Sequence, residues 1–269
     1  MQKTILITGS TDGIGYLTAK TLVEQGHNVI VHGRSFDKLE KIKKQLESFK
    51  TTGNIHSVLG DLSLLKNVEV LANNILEKFT SIDVLINNAG IYKTQDERTA
   101  EGFDIRFAVN TLAPYLLTKK LIPVLSKNAR VINLSSAAQA PVDLNALKGH
   151  VLLSSSSEAY AQSKLAITMW TNHMASLFKD NNPMIVSVNP KSLLASKMVK
   201  EAYGIQGSDL SVASDILVRA AISDEFKDAS GKYYDNDIAS FSKPHLDALN
   251  IQKCNELVFV MEDILENYL

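Results

Sequence analysis

Thr8-Gly9-Ser10-Thr11-Asp12-Gly13-Ile14-Gly15 continues the short apolar run Thr4 to Thr8 and leads into a helical pattern near Ile14 to Gln25. A strand, a glycine turn and a helix in that order form a unit with a chemical use. Gly9 can turn sharply off the strand, Gly13 lets backbone approach an anion closely, and the helix N-terminus offers unsatisfied N–H groups and the positive end of the helix dipole. The segment therefore reads as a cradle for the phosphates of a dinucleotide, lined by Gly9, Ser10, Thr11, Asp12, Gly13, Ile14 and Gly15. Its spacing, G-x3-G-x-G, differs from the common G-x-G-x-x-G fingerprint. It also lacks the Gly-Lys-Ser/Thr ending of a nucleoside-triphosphate loop, which argues against an NTPase.

Outward from this unit the same alternation repeats. Apolar runs at Asn28 to His32, Ile55 to Leu59, Val84 to Asn87, Val131 to Leu134 and Ile185 to Val188 suit strands buried on both faces. Helical patterns near Phe36 to Phe49, Val68 to Phe79, Phe103 to Leu125, Glu158 to Phe178 and Ser211 to Ile222 separate or follow them, and a weaker strand at Gly231 to Tyr234 closes the edge. Parallel strands joined by right-handed helical crossovers give an α/β fold of the Rossmann type, a doubly wound parallel sheet with helices on both faces. No repeat, charge block or linker divides the chain, so residues 1–269 are expected to form one dinucleotide-binding domain. Two stretches break the rhythm, Ala137 to Ser157 and Lys191 to Ser208 with its Met198, and long loops of this kind are candidate substrate segments.

Composition narrows the function. The chain is 45% hydrophobic and 21% charged, and its 28 Lys+Arg against 29 Asp+Glu leave a formal charge of −1, which disfavours disorder and a globally basic nucleic-acid binder. The single cysteine, Cys254, can form neither an internal disulfide nor a multi-thiolate metal site. No run reaches the ~18 apolar residues of a membrane helix, and strand-like sequence begins at Lys3, so a cytoplasmic protein without signal peptide or integral membrane segment is expected. His32 and His245 lack partners at metal-ligand spacing.

Cofactor preference is read from the end of the second strand, His32-Gly33-Arg34-Ser35, where an acid would receive a ribose 2′-hydroxyl. No acid occurs there before Asp37. Arg34 instead offers a planar cation for adenine and a 2′-phosphate, so NADP(H) is expected in preference to NAD(H).

The catalytic candidates lie in Tyr160-Ala-Gln-Ser-Lys164, whose i,i+4 spacing puts phenol and ammonium on one helix face. A tyrosine near its reference pKa of ~10 is a poor acid–base group at neutral pH, and an adjacent cation stabilises its phenolate. Ser155 and Glu158 have capping-box spacing and can start this helix.

With the glycine loop, this pair resembles the short-chain dehydrogenase/reductase family, and further motifs follow in the family's order: Asp61-Leu62 after the third strand, Asn87-Asn88-Ala89-Gly90 after the fourth, Val109-Asn110-Thr111 in the fourth helix, and Ser135-Ser136 after the fifth strand. The likeness spans residue 4 to about residue 190. It implies that Tyr160 donates or accepts the carbonyl/alcohol proton and that Ser136, rather than Ser135, hydrogen-bonds the same substrate oxygen. Lys164 would hold the nicotinamide ribose and favour the Tyr160 phenolate, and Asn110 would position a proton-relay water. Asp61, Leu62, Asn88, Ala89, Gly90 and Pro190 would flank the cofactor, with Asn87 in a lesser role. Tyr160 follows Ser136 by 24 positions, and this long connection with Ser230-Gly231-Lys232-Tyr233-Tyr234 is similar to the retinol-dehydrogenase-like branch, which implies a hydrophobic alcohol or carbonyl substrate. Retinol itself is disfavoured, because no anchor precedes the first strand.

The family's usual Pro-Gly is here Pro190-Lys191, so Lys191 either points to solvent or contacts a cofactor phosphate or substrate carboxylate. The family commonly pairs the helix of Tyr160 and the preceding helix with a partner subunit, which implies a homodimer or homotetramer; Met169 and Trp170 would then serve as core or subunit contacts. The leading expectation is an NADPH-dependent carbonyl reductase. A non-catalytic dinucleotide sensor or scaffold, and a sugar-nucleotide epimerase or dehydratase, remain the alternatives, the latter having only about 80 residues beyond Pro190 for its substrate.

Overall fold

The computed structural model describes residues 1–178, 183–195, 207 and 209–269. Eight strands form one sheet in the order β3-β2-β1-β4-β5-β6-β7-β8, with β1 Thr4–Ile7, β2 Asn28–Gly33, β3 Ile55–Leu59, β4 Ile82–Asn87, β5 Leu125–Leu134, β6 Met184–Asn189, β7 Tyr233–Asp235 and β8 Ser240–Ser242. All pairings are parallel except β7 with β8. From β1 the chain winds outward through β2 and β3, then returns to β4 on the other side and winds the opposite way. The carboxyl ends of β1 and β4 therefore flank the switch point, where such sheets open a ligand crevice.

Alternation along the strands feeds two cores. Leu6, Ile30, Leu85, Val131 and Ile185 face one side, with α3 (Leu65–Lys78), α5 (Ala113–Leu121) and α7 (Ser156–Leu177). Their neighbours Ile5, Val29, Val31, Val84, Ile86, Ile132 and Val186 face the other, with α1 (Gly13–Glu24), α2 (Phe36–Glu47) and α8 (Ser211–Ile222). Burial on both faces explains why the strand segments read as continuous apolar runs.

Two expectations are corrected in detail. The helix expected over Phe103 to Leu125 is divided into α4 (Ile105–Phe107), a π turn at Ala108–Leu112, α5 and a 3-10 turn at Ile122–Val124, after which the chain enters β5 early. Pro114 has no N–H to give the carbonyl four residues back, at Asn110, and Pro123 ends the helical run. The connection after β5 also carries a short helix, α6 (Leu144–Leu147), capped by Asp143.

Beyond β7 the chain adds elements that the β–α alternation does not announce. β8 takes the sheet edge and is followed by Pro244, a short and blunt ending for an exposed strand. Then α9 (Leu246–Leu249) and α10 (Ile251–Leu265) fold back over α7 and α5. Cys254, Leu257, Val258, Met261 and Leu265 of α10 join the core that holds Met169 and Trp170, and Glu262 accepts hydrogen bonds from Tyr115 Oη at 2.8 Å and Lys119 Nζ at 2.9 Å. Trp170 is fully buried, edge-on to Tyr115 with centroids 5.5 Å apart. The carboxyl-terminal helix thus packs on two of the helices that the family resemblance gives to a partner subunit.

Candidate active site

Gly9 has φ +64°, and a Cβ there would lie 2.9 Å from the Ala89 Cα; at Gly15 a Cβ would lie 2.4 Å from the Gly9 carbonyl oxygen. Glycine is required at both positions because the turn folds against itself and against the segment after β4. Asn88 secures that approach: its Nδ2 donates to the Thr8 and Gly9 carbonyls at 2.8 and 3.1 Å, and Thr8 Oγ1 accepts from the Asn88 and Ala89 amides, each at 3.0 Å. The crevice at the switch point is thus walled by both glycine-containing segments. Space for a Cβ at Gly13 is open, and Asp12 caps α1 by accepting from the Gly13 N–H at 2.7 Å, so one of the N–H groups expected to face an anion is already satisfied.

His32, an ordinary strand residue by its sequence, braces this cradle. The Gly9 N–H donates to Nδ1 at 3.1 Å, which places the proton on Nε2, 3.1 Å from the Gly60 carbonyl. Burial disfavours the imidazolium and pushes the pKa down to about 4. A neutral His32 thus ties the ends of β1 and β3 together. Beside it Arg34 is exposed and forms no hydrogen bond or ion pair among the described residues. Ser35 occupies the N-cap of α2 without a side-chain cap bond. Asp61 accepts from the Ser63 N–H at 3.0 Å, and the Leu62 side chain is buried.

Within α7, Tyr160 is half-buried and Lys164 is 4% exposed, with Lys164 Nζ 5.6 Å from the Tyr160 ring centroid. The ammonium donates to the Leu134 carbonyl at the end of β5, at 2.7 Å, and burial pulls its pKa down to about 8. Ser155 caps the helix by accepting from the Glu158 N–H, as its spacing indicates, but Glu158 reaches back to Ser154 and not to Ser155.

Ser135 and Ser136 part company. Ser135 is buried, with Oγ 3.1 Å from the Lys164 carbonyl and 2.7 Å from Thr168 Oγ1. Ser136 is half-exposed and accepts from the Ala138 N–H at 3.1 Å, which leaves its own proton to donate. Tyr233 Oη and Gln139 Nε2 donate to its carbonyl at 3.1 and 2.9 Å. The loop beyond is returned to α7 by the Ala140 N–H, 3.3 Å from the Ala161 carbonyl. Gln139 lies in no sequence motif, and the Ser230-to-Tyr234 motif that holds Tyr233 marks the branch without assigning Tyr233 to the site.

Asn110 lies in the π turn and is buried. Its Oδ1 accepts from the Ile91 N–H at 2.8 Å, and its Nδ2 donates to the Ile91 carbonyl at 2.9 Å and to Ser163 Oγ at 3.0 Å. A Cβ at Gly90 would stand 3.5 Å from Asn110 Oδ1 and 3.6 Å from Lys164 Nζ, so all three groups meet at the end of β4. Asn87 acts inside the sheet, donating to Thr118 Oγ1 at 3.1 Å and Asn133 Oδ1 at 2.8 Å. The Pro190 carbonyl accepts from Asn236 Nδ2 at 2.9 Å.

Lys191 has φ +129°, a region that glycine adopts freely and lysine does not. Burial raises the neighbouring Asp237 carboxyl, but hydrogen bonds from Ser192 and Asn189 and the Lys191 cation hold it below the usual range. Lys191→Gly is expected to raise stability by roughly 1 kcal/mol, the relieved strain exceeding glycine's added unfolded-state entropy. Urea denaturation checks this, and a fall in NADPH affinity in the same variant would identify a side-chain contact with cofactor. Of the candidate substrate segment 191–208, residues 196–206 and 208, with Met198, lie outside the described residues.

Comparison with known proteins identifies the family. Residues 3–204 match the family model of the short chain dehydrogenases, and the chain belongs to that family of oxidoreductases. Within it the chain falls in the retinol-dehydrogenase-like branch: it is 31% identical to human retinol dehydrogenase 13 over 253 residues, covering 87% of this chain and 76% of that protein. A protein from Mycobacterium paratuberculosis shares the fold with a TM-score of 0.80 at 24% identity, over 98% of this chain and 94% of its own. The angucycline C-6 ketoreductase LanV, solved with bound NADP, superposes with a TM-score of 0.66 at 25% identity, over 87% and 93%. Among the described residues no helix is long and apolar enough to cross a membrane.

Proposed function

We propose that this protein is an NADPH-dependent carbonyl reductase, reversible as an alcohol dehydrogenase, acting on a hydrophobic substrate. The observation that carries the reading is the buried Lys164 ammonium held 5.6 Å from the Tyr160 ring beside the glycine-walled crevice. Tyr160 donates the proton to the carbonyl oxygen in reduction and accepts it in oxidation. Lys164 stabilises the phenolate form, and Ser136, with a hydroxyl proton to give, hydrogen-bonds the same oxygen. Asn110 belongs to this set through the junction it forms at Gly90 and Ile91. A bound nicotinamide dinucleotide supplies the hydride. Residues 9–15, Asp61, Leu62, Asn88, Ala89, Gly90, Tyr160 and Pro190 would hold it, and Lys164 would bond its ribose.

The exposed, unpaired Arg34 and the uncapped Ser35 support NADP(H) over NAD(H), because they offer a planar cation and a hydroxyl where a 2′-phosphate would lie. The lone cysteine, buried as a free thiol, is consistent with a reducing, cytoplasmic setting. A homodimer or homotetramer is expected, as the family resemblance implies.

The test is titration with NADPH and NADH, followed by absorbance loss across aliphatic, aromatic and steroid-like ketones and aldehydes. Turnover is expected with NADPH and is expected to vanish in Tyr160→Phe. Arg34→Ala is expected to raise the KM for NADPH roughly ten- to hundred-fold while leaving that for NADH nearly unchanged. Persistent turnover in Tyr160→Phe would overturn the mechanism, and equal effects on both cofactors would overturn the NADP assignment.

A further inference from the structure

Tyr92 belongs to none of the sequence motifs, yet it touches the centre of the site. Its ring meets that of Tyr160 with centroids 5.0 Å apart and planes at 61°, an edge contact of the kind aromatic pairs favour. Its hydroxyl lies 2.9 Å from Ser157 Oγ. Ser157 and Tyr160 are three residues apart on α7, so Tyr92 grips one face of the helix at two points. The backbone that presents Tyr92 is itself fixed, because Asn110 holds both the N–H and the carbonyl of Ile91, the residue before it. Asn110 also bonds Ser163, whose Oγ donates to the Tyr160 carbonyl at 2.7 Å. One connected set of contacts thus runs from the end of β4 to both the ring and the main chain of Tyr160.

We propose that Tyr92 is a positioning residue for Tyr160: its ring, packed edge-on against the phenol ring, sets the orientation of the phenol relative to Lys164, and the bond to Ser157 adds a lesser second hold on the same helix. The proposal rests on the reductase reading, in which Tyr160 carries the proton. It also gives the Asn110 side chain a specific task, that of fixing the loop after β4 on which Tyr92 is mounted. Because Tyr92 grips α7 and not the glycine cradle, its loss should act on the chemical step and spare cofactor affinity.

The experiment compares Tyr92→Leu, Tyr92→Phe, Ser157→Ala and Tyr160→Phe in the full chain, using a reducible ketone and NADPH. Tyr92→Leu is expected to lower kcat about tenfold and to displace the acid–base limb of the kcat profile. Its Kd for NADPH, read from quenching of Trp170 fluorescence or from calorimetry, should stay within twofold of the parent. Tyr92→Phe and Ser157→Ala keep the ring pair and are expected to stay within threefold of the parent in kcat. A parent-like kcat and pH profile in Tyr92→Leu overturns the proposal, as does a parallel loss of NADPH affinity, which would mark a general disturbance of the site. A loss in Tyr92→Phe equal to that in Tyr92→Leu overturns the role given to the ring. Turnover surviving in Tyr160→Phe would instead defeat the reductase reading itself, whatever the Tyr92 variants do.

Discussion

Lys164→Met is expected to lower kcat by two to four orders of magnitude, roughly the whole contribution of positioned acid–base catalysis. The methionine keeps the length and apolar stem of the lysine but removes the one cation seen against the Tyr160 ring among the described residues. Without it the phenolate loses its nearby stabilising charge, and the proton must move to and from an ordinary phenol. The pH dependence carries a second signature. Burial lowers the Lys164 pKa to about 8, so the ammonium is present below that pH and is lost above it. The parent rate that depends on the cation is therefore expected to decline as pH rises through about 8, and the residual rate of Lys164→Met should lack that limb. The KM for NADPH should rise as well, since the same group is assigned to the ribose. Steady-state kinetics across the range from neutral to alkaline pH decide the matter, and a variant retaining most of the parent kcat would refute the assignment.

Arg106→Leu is expected to destabilise the fold by about 3–5 kcal/mol, a large share of the stability of an ordinary domain. Arg106 and Asp104 are 2% and 4% exposed. Asp104 Oδ1 accepts from the Arg106 N–H and from Nε, each at 2.8 Å, and Oδ2 accepts from Nη2 at 2.6 Å. Nη1 reaches Glu97 at 3.3 Å and Ser156 Oγ at 3.2 Å, where Ser156 is the first residue of α7. Removing only the arginine leaves a carboxylate buried without its cation, and that penalty, more than the lost attraction, sets the cost. Replacing Asp104 and Arg106 together by leucines should therefore cost less than Arg106→Leu alone. Urea midpoints of the three variants test this; a single variant within about 1 kcal/mol of the parent would refute it. Since the network also fixes the start of the helix that carries Tyr160, activity should fall with stability.

Much of the sheet and part of the site are legible in the sequence. The period-2 burial of Leu6, Ile30 and Leu85 against Ile5, Val29 and Val84 is what their apolar runs imply, and Ser155 caps α7 where its spacing places it. The carboxyl-terminal helix is equally readable in principle. Cys254, Leu257, Val258, Met261 and Leu265 recur at helical spacing, and all are buried. That signal stands outside the β–α alternation, which ends at β7, and so it does not enter a reading built on the alternation. Arg106 is not readable: a charged residue in a helical pattern signals an exposed face, and nothing local tells that Asp104 and α7 enclose it.

Features held within a few residues of one another follow from the chain alone. The glycine turn after β1, the strand and helix periods, and the four-residue step from Tyr160 to Lys164 are consequences of backbone geometry and local spacing. Contacts between distant stretches of chain come only with assembly of the fold. Assembly sets His32 between Gly9 and Gly60, withdraws Ser135 and leaves Ser136, places Tyr92 against Tyr160, and packs α10 on α7. Each of these depends on which surfaces meet when the sheet is formed, and burial then changes the chemistry of the groups enclosed. The same lysine that spacing places beside a tyrosine thus becomes, once buried under Leu134, a cation whose pKa burial pulls down to about 8.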